Sequence, residues 1–300
     1  MPPRIACIGE CMVELRQLPG GLLQRGWGGD TLNTAVYLAR LGASVDYVTA
    51  LGDDSWSDEM LAGWAAEGIG TGLVQRLPGR LPGLYVIQTD PSGERRFLYW
   101  RDSAAARRLF DHLDPRTLTA FDVLYLSGIT LSILDDAGRA VLLQTLAEAR
   151  TRGAMIVFDT NFRPRGWSDP ALARRLYDRL FGLAHLVLAS SEDLCLLYGN
   201  NGEAALLAHA GDTEIVLKLD HPASRIFHAG TEHAVHALPV ACVMDTTAAG
   251  DSFAAAYLAA RLRGAAPGDA AQAGHALAGA VVQHSGAIIP RDAMPQRTLP

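Results

Sequence analysis

Lysine is all but missing from this chain of 300 residues: Lys218 is the single one, and every other member of the 26 Lys and Arg side chains is arginine. A G-x-x-x-x-G-K-[ST] phosphate loop is therefore excluded, because no glycine stands directly before Lys218. G-x-G-x-x-G does not follow the first apolar run, "RIACIG", which removes a dinucleotide-binding turn. The loops of protein kinases are missing too. The four cysteines, Cys7, Cys11, Cys195 and Cys242, include no C-x-x-C pair and no cysteine–histidine cluster with zinc spacing. They read as small buried hydrophobes in a reducing compartment. No apolar run reaches the ~18 residues that a membrane helix needs. "MPPRIACIGE" lacks the basic start and cleavage pattern of a secretory signal. The expected location is the cytoplasm, with no membrane partner. A net charge of -6 argues against nucleic acid as a partner, since phosphate backbones attract broad basic surfaces.

What is present describes an ordinary globular chain, 49% hydrophobic and 19% charged, long enough to bury a large core. Short apolar runs recur: "RIACIG", "VDYVTALG", "FDVLYLSG", "AMIVFDTN", "HLVLAS" and "TEIVLKL". Amphipathic stretches such as "TLNTAVYLARLG" and "AGRAVLLQTLAEARTRG" lie between them and close on glycine, the usual residue past a helix end. Continuous apolar strands alternating with helices predict an α/β fold with a mostly parallel sheet covered on both faces. Two regions break the alternation. "CMVELRQLPGGLLQRGWGGD" and "LPGLYVIQTDPSGERRFLYWRD" read as strands joined by glycine and proline turns, the second around "DPSGE". They predict a small β-sheet from about 11–28 and 82–101, a lid on an otherwise single domain spanning 1–300.

Two stretches carry candidate chemistry. In "DTTAAGDSF", Ala248, Ala249 and Gly250 have little or no side chain, so a ligand can approach their amides. The helix that follows adds free N–H donors and the positive end of its dipole. Asp251 falls in the first turn, beside any phosphate bound there, where it could take a proton from an attacking hydroxyl. An ordinary helix start is the alternative. In "GWGGDTLNTAVYLARLG", Gly28 and Gly29 lead into a helix whose first turns carry Asp30 and Asn33, three apart and on one face. Those groups suit sugar hydroxyls; capping by Asp30 or Thr31 is the alternative.

Taken together, the two stretches resemble the motifs of the ribokinase, or PfkB, family of carbohydrate kinases. That family pairs an N-terminal "GG-x-x-x-N" helix with a C-terminal "DT-x-GAGD" turn. The resemblance covers nearly the whole chain. It is carried further by "IGECMVEL", "YVTALGDDS", "GERRFLYWRDSAA", "YLSGITLSIL", "DTNFRPRGW" and "GAIIPRDAMP", and alanine at 248 points to a sugar-acid branch. It implies a three-layer α/β/α sandwich with a lid, and ATP-dependent phosphorylation of 2-dehydro-3-deoxy-D-gluconate at its 6-hydroxyl. It also implies Asp251 as catalytic base, with the amides of Ala248, Ala249, Gly250 and Asp251 as anion hole. Gly29, Asp30, Asn33, Tyr85, Tyr99, Arg101 and Arg163 would bind the sugar acid, and Asn161, Ser190, Lys218 and His275 the nucleotide. A carboxylate substrate suits the forks of Arg101 and Arg163, whereas Arg165 reads as a surface charge.

Two places depart from the family pattern. The N-x-x-E motif associated with Mg²⁺ reads "SSED", leaving Glu192 or Asp193 as the carboxylate. The glycine-rich loop after the lysine reads "KLDHPASRIF", with Asp220 at its first glycine. Asp245 and Thr247 match positions that hold a monovalent cation such as K⁺ in some relatives. Pairing into a homodimer or higher oligomer through the lid sheet is expected from the same resemblance. A kinase for a neutral sugar and a sugar-acid-binding regulator stand as alternatives.

Overall fold

The computed structural model describes residues 2–89 and 95–295. Its main sheet has eight strands. Parallel strands follow in the order Glu214–Lys218, Leu186–Ser190, Met155–Asp159, Val123–Ser127, Arg4–Ile8 and Ser44–Val48. Ala223–His228 and Thr231–His236 extend the sheet antiparallel beyond Glu214–Lys218. Successive residues of the inner strands serve opposite cores. Ile5, Cys7, Val123, Tyr125 and Val157 face one side; Ala6, Ile8, Leu124, Leu126 and Phe158 face the other. A strand covered on both faces must be apolar at every position, which explains the unbroken runs in the sequence.

Helices Asp30–Arg40, Ala249–Leu262 and Pro267–Val281 cover the first face. Helices Asp136–Thr151, Pro170–Leu183 and Ser191–Tyr198 cover the second. Helix starts are set by side-chain caps where no ligand is called for: Asp135 accepts from the Gly138 amide and Asp169 from Ala171. The alanines of "SFAAAYLAA" let Ala249–Leu262 sit deep between its two neighbours, and Gly274 leaves room for the Phe253 ring, to which an added Cβ would come within 2.7 Å. Cys7 and Cys11 are buried as expected, but Cys195 and Cys242 are exposed, lying outside the strands that form the core.

The second sheet has the order Leu23–Gly28, Met12–Gln17, Leu84–Thr89, Arg95–Trp100. Its outer pairs are antiparallel and its central pair, Met12–Gln17 with Leu84–Thr89, is parallel. Gly20 and Gly21, with φ of 78° and 80°, form the turn of the first hairpin. The turn "DPSGE" of the second lies outside the described residues. Trp27 seats this flap on the main domain by packing on Gly63, where an added Cβ would lie 2.6 Å from the indole.

The winding reverses at Arg4–Ile8, which has Ser44–Val48 on one side and Val123–Ser127 on the other. In open α/β sheets ligands bind at such a reversal, outside the carboxyl ends of the strands. Glu10, Asp159, Ser190 and Lys218 all stand at those ends. Among the described residues no helix is long and apolar enough to cross a membrane.

Candidate active site

Helix Asp30–Arg40 starts at Gly29 without a side-chain cap, so Asp30 is not spent on its own helix. Gly29 is required by close approach: a Cβ there would sit 2.1 Å from the Glu10 carbonyl oxygen. Gly28 makes room in the same way for the Tyr85 hydroxyl, 2.4 Å from a hypothetical Cβ. Asp30 accepts the Asn161 side-chain amide at 2.7 Å, and Asn33 donates to Asp251 Oδ2 at 2.8 Å. Asn161 holds a φ of 26°, which asparagine tolerates better than most residues. The Thr34 hydroxyl lies 3.3 Å from the Asp251 carbonyl and ties the two helix starts together. The two motif helices therefore meet at one point, with the Asp251 carboxylate between them.

Burial, and after it the nearby Asp30 carboxylate, push the Asp251 carboxyl up to about 8, against the opposing Asn33 hydrogen bond. Asp159 is raised for the same first reason, with the Lys218 ammonium pulling the other way. Lys218 Nζ lies 3.3 Å from Asp159 Oδ2, and a Cβ on Gly250 would be 3.5 Å from it. The one lysine thus stands beside the turn that opens helix Ala249–Leu262. Ala248 caps that helix with φ of 60°, a left-handed conformation usual for glycine. The Ala249 amide turns back to the Thr246 carbonyl at 3.2 Å. The Gly250 and Asp251 amides lie in the first turn, where an α-helix supplies no acceptor of its own. A developing anion here would meet amide donors, a helix dipole and an ammonium.

A cleft of about 1540 Å³ opens between this centre and the flap, lined in part by Gly29, Asp30, Tyr99, Arg101 and Arg163. Arg96, Arg107 and Arg165 line it too, Arg165 as an exposed charge at its wall. Tyr85 stands behind Tyr99, ring centroids 6.0 Å apart, and its hydroxyl donates to Glu14 at 2.5 Å. Arg101 packs over the Tyr99 ring and donates through Nη2 to Glu10 Oε2. Glu10 is 2% exposed, and its other oxygen, Oε1, has no hydrogen-bond partner among the described residues. Burial raises the Glu10 carboxyl, with Arg101 opposing. The guanidinium of Arg101 is thus oriented by a buried carboxylate at the wall of the cleft.

On the other side of the sheet's end, Ser190 caps the helix Ser191–Tyr198 by accepting the Asp193 amide at 3.0 Å. Asp193 is buried and accepts from the Thr160 hydroxyl at 2.7 Å and Arg163 at 3.3 Å, whereas Glu192 is exposed. Of the two candidate carboxylates, Asp193 is tied to Thr160 and Arg163 and Glu192 stands exposed. The stretch after Lys218 is a tight reversal into the antiparallel strand Ala223–His228, closed by the Leu219 amide on the Ala223 carbonyl at 3.0 Å. Asp220 points to solvent and pairs with His221. His275 is held by Ser224 at 3.0 Å and packs edge-on against Phe253, so it belongs with this hairpin. Asp245 binds the Thr247 amide and lies 3.8 Å from Arg16 of the flap.

A half-buried carboxylate beside first-turn amides and an ammonium, close to an arginine-lined cleft, is the set of groups that phosphoryl transfer to a hydroxyl calls for. The family model described as pfkB family carbohydrate kinase matches residues 2–294, and the chain belongs to that family. It is 46% identical to a 2-dehydro-3-deoxygluconokinase of Dickeya dadantii (strain 3937), over 97% of this chain and 98% of that protein. Its identity to the 2-dehydro-3-deoxygluconokinase of Escherichia coli (strain K12) is 44%, over 98% of this chain and 100% of that one. A solved fructokinase with bound ATP from Xylella fastidiosa shares the fold, with a TM-score of 0.84 at 25% identity, covering 98% of this chain and 96% of that one.

Proposed function

We propose that the protein transfers the γ-phosphoryl group of ATP to the 6-hydroxyl of 2-dehydro-3-deoxy-D-gluconate. Asp251 carries the proposal, as a half-buried carboxylate of raised basicity with one oxygen held by Asn33 and the other open to substrate. That carboxylate takes the hydroxyl proton as the sugar oxygen bonds to the γ-phosphorus, and the bridging oxygen leaves with ADP. A base tuned toward neutral pH is more effective than an ordinary carboxylate. The Gly250 and Asp251 amides, with Lys218, offset charge on the transferring group. The arginines of the cleft, Arg101 first among them, favour an acid over a neutral sugar.

Among the described residues no cluster of three or more His, Cys, Asp or Glu forms a metal cage. Mg²⁺ bound to ATP would take most of its shell from phosphate and water oxygens, and Asp193 and Asp159, already paired with Arg163 and Lys218, would meet it through water. Such an ion would neutralise charge on the phosphate oxygens. The flap acts as a lid that excludes water from the cleft. Its exposed Leu22, Leu23 and Trp100 support pairing with a second copy.

The test is ADP release with the sugar acid, for the parent and for Asp251→Asn. The variant should bind the sugar acid nearly as well by calorimetry while turnover falls ~10²–10⁴-fold, the range of a lost general base. Turnover within tenfold of the parent would remove Asp251 from this role.

A further inference from the structure

Asp245 is 2% exposed and lies under the turn that opens helix Ala249–Leu262. Its Oδ1 accepts the Thr247 amide at 2.9 Å and its Oδ2 the Gly286 amide at 2.9 Å. One carboxylate therefore joins the turn that presents the anion-hole amides to the loop after helix Pro267–Val281. Arg16 reaches both from the flap strand Met12–Gln17. Its Nη2 lies 3.8 Å from Asp245 Oδ2, and its Nη1 donates to Ser285 Oγ at 2.5 Å. The same Nη2 lies 3.5 Å from Glu14 Oε1, and Glu14 Oε2 accepts the Tyr85 hydroxyl.

A monovalent ion in this position needs a shell of oxygens. Here both Asp245 oxygens already accept amide hydrogens, and a guanidinium stands against one of them. A second cation beside that guanidinium would be repelled. The residues present therefore do not fit the expected ion. Arginine meets the demand itself, because its fork can serve Asp245, Ser285 and Glu14 together.

We propose that Arg16 is the built-in cation of this turn: a positioning residue that fixes the anion-hole amides to the flap and makes phosphoryl transfer independent of monovalent ions. The proposal rests on the reading of this site as a kinase centre. Through Glu14 and Tyr85 the same contact joins the sugar side of the cleft to the phosphate side.

The parent protein should turn over equally in potassium, sodium and tetramethylammonium buffers, a test that needs no substitution. Strong activation by potassium would overturn the proposal. Arg16→Ala should lower kcat by ~10–100-fold with little change in the KM for the sugar acid, the pattern of misplaced transfer geometry. Potassium or millimolar guanidinium should restore part of that loss, and Arg16→Lys should need less rescue. An Arg16→Ala variant that folds and keeps full turnover, or loses turnover without answering either cation, refutes the role. Thermal unfolding gives a readout separate from activity: both cations should raise the melting temperature of Arg16→Ala and leave the parent unmoved. If both proteins are inactive on the sugar acid, the substrate reading fails, and the melting response still decides the role of Arg16.

Discussion

Burial and Asp30 both oppose a charge on the Asp251 carboxyl, and that opposition has a consequence for stability as well as for chemistry. The folded carboxyl binds its proton up to about 8, above the unfolded value of 3.8. Between those values the folded state carries more protons than the unfolded one, so this group's contribution to stability falls as pH rises. Asp251→Asn should therefore melt at a higher temperature than the parent at alkaline pH. The gain should be on the order of a few kcal/mol and shrink toward pH 4. An equal difference at all pH values would show that Asp251 is not perturbed. Lys218→Met should cut turnover by ~10²–10³-fold, the loss that follows removal of one donor to a developing anion. Arg101→Ala should raise the KM for the sugar acid by ~10–100-fold, from the ~1.5–3 kcal/mol of a hydrogen bond to a charged group, and leave neutral sugars little changed. Asp30, Asn33 and Asp251 were legible in the sequence because each lies in a short motif. Glu10 and Asp159 were not, since their roles depend on partners 91 and 59 residues away that only the strand order brings near.

Ala248 and Gly29 show how the elements themselves are tuned. Ala248 sits at φ of 60°, where a Cβ is strained by roughly 1–2 kcal/mol. Ala248→Gly should raise the melting temperature by ~2–4 °C for each kcal/mol of strain relieved, less what the freer unfolded chain gives back. A fall in melting temperature would mean that the Ala248 methyl packs usefully. Gly29→Ala forces a Cβ onto the Glu10 carbonyl and should destabilise by ~1–3 kcal/mol. Denaturant midpoints would measure it. The parallel strands and the flanking helices were readable from apolar runs and closing glycines. Strand Thr231–His236, "TEHAVH", was not, because it is an exposed polar edge with only Val235 buried. The same gap left "KLDHPASRIF" as an open loop when it is the start of a hairpin.

For the whole molecule, the family resemblance predicted the sandwich and the separate sheet, and the structure has both. How the sheets cooperate was hidden, since Arg16 and Glu14 look like ordinary strand charges until the flap is seated over the Asp245 turn. Leu22, at 66% exposure on the flap, should anchor pairing of two copies, so Leu22→Glu should shift sedimentation from dimer to monomer. An unchanged sedimentation coefficient would remove the flap as the interface. The substrate class is tested most directly by kcat/KM from ADP release across 2-dehydro-3-deoxy-D-gluconate, fructose and ribose. The arginine-lined cleft predicts that the sugar acid leads by ~10²-fold or more, as for a site built around a charged group of its substrate. A neutral sugar used as well as the acid, or better, would contradict it.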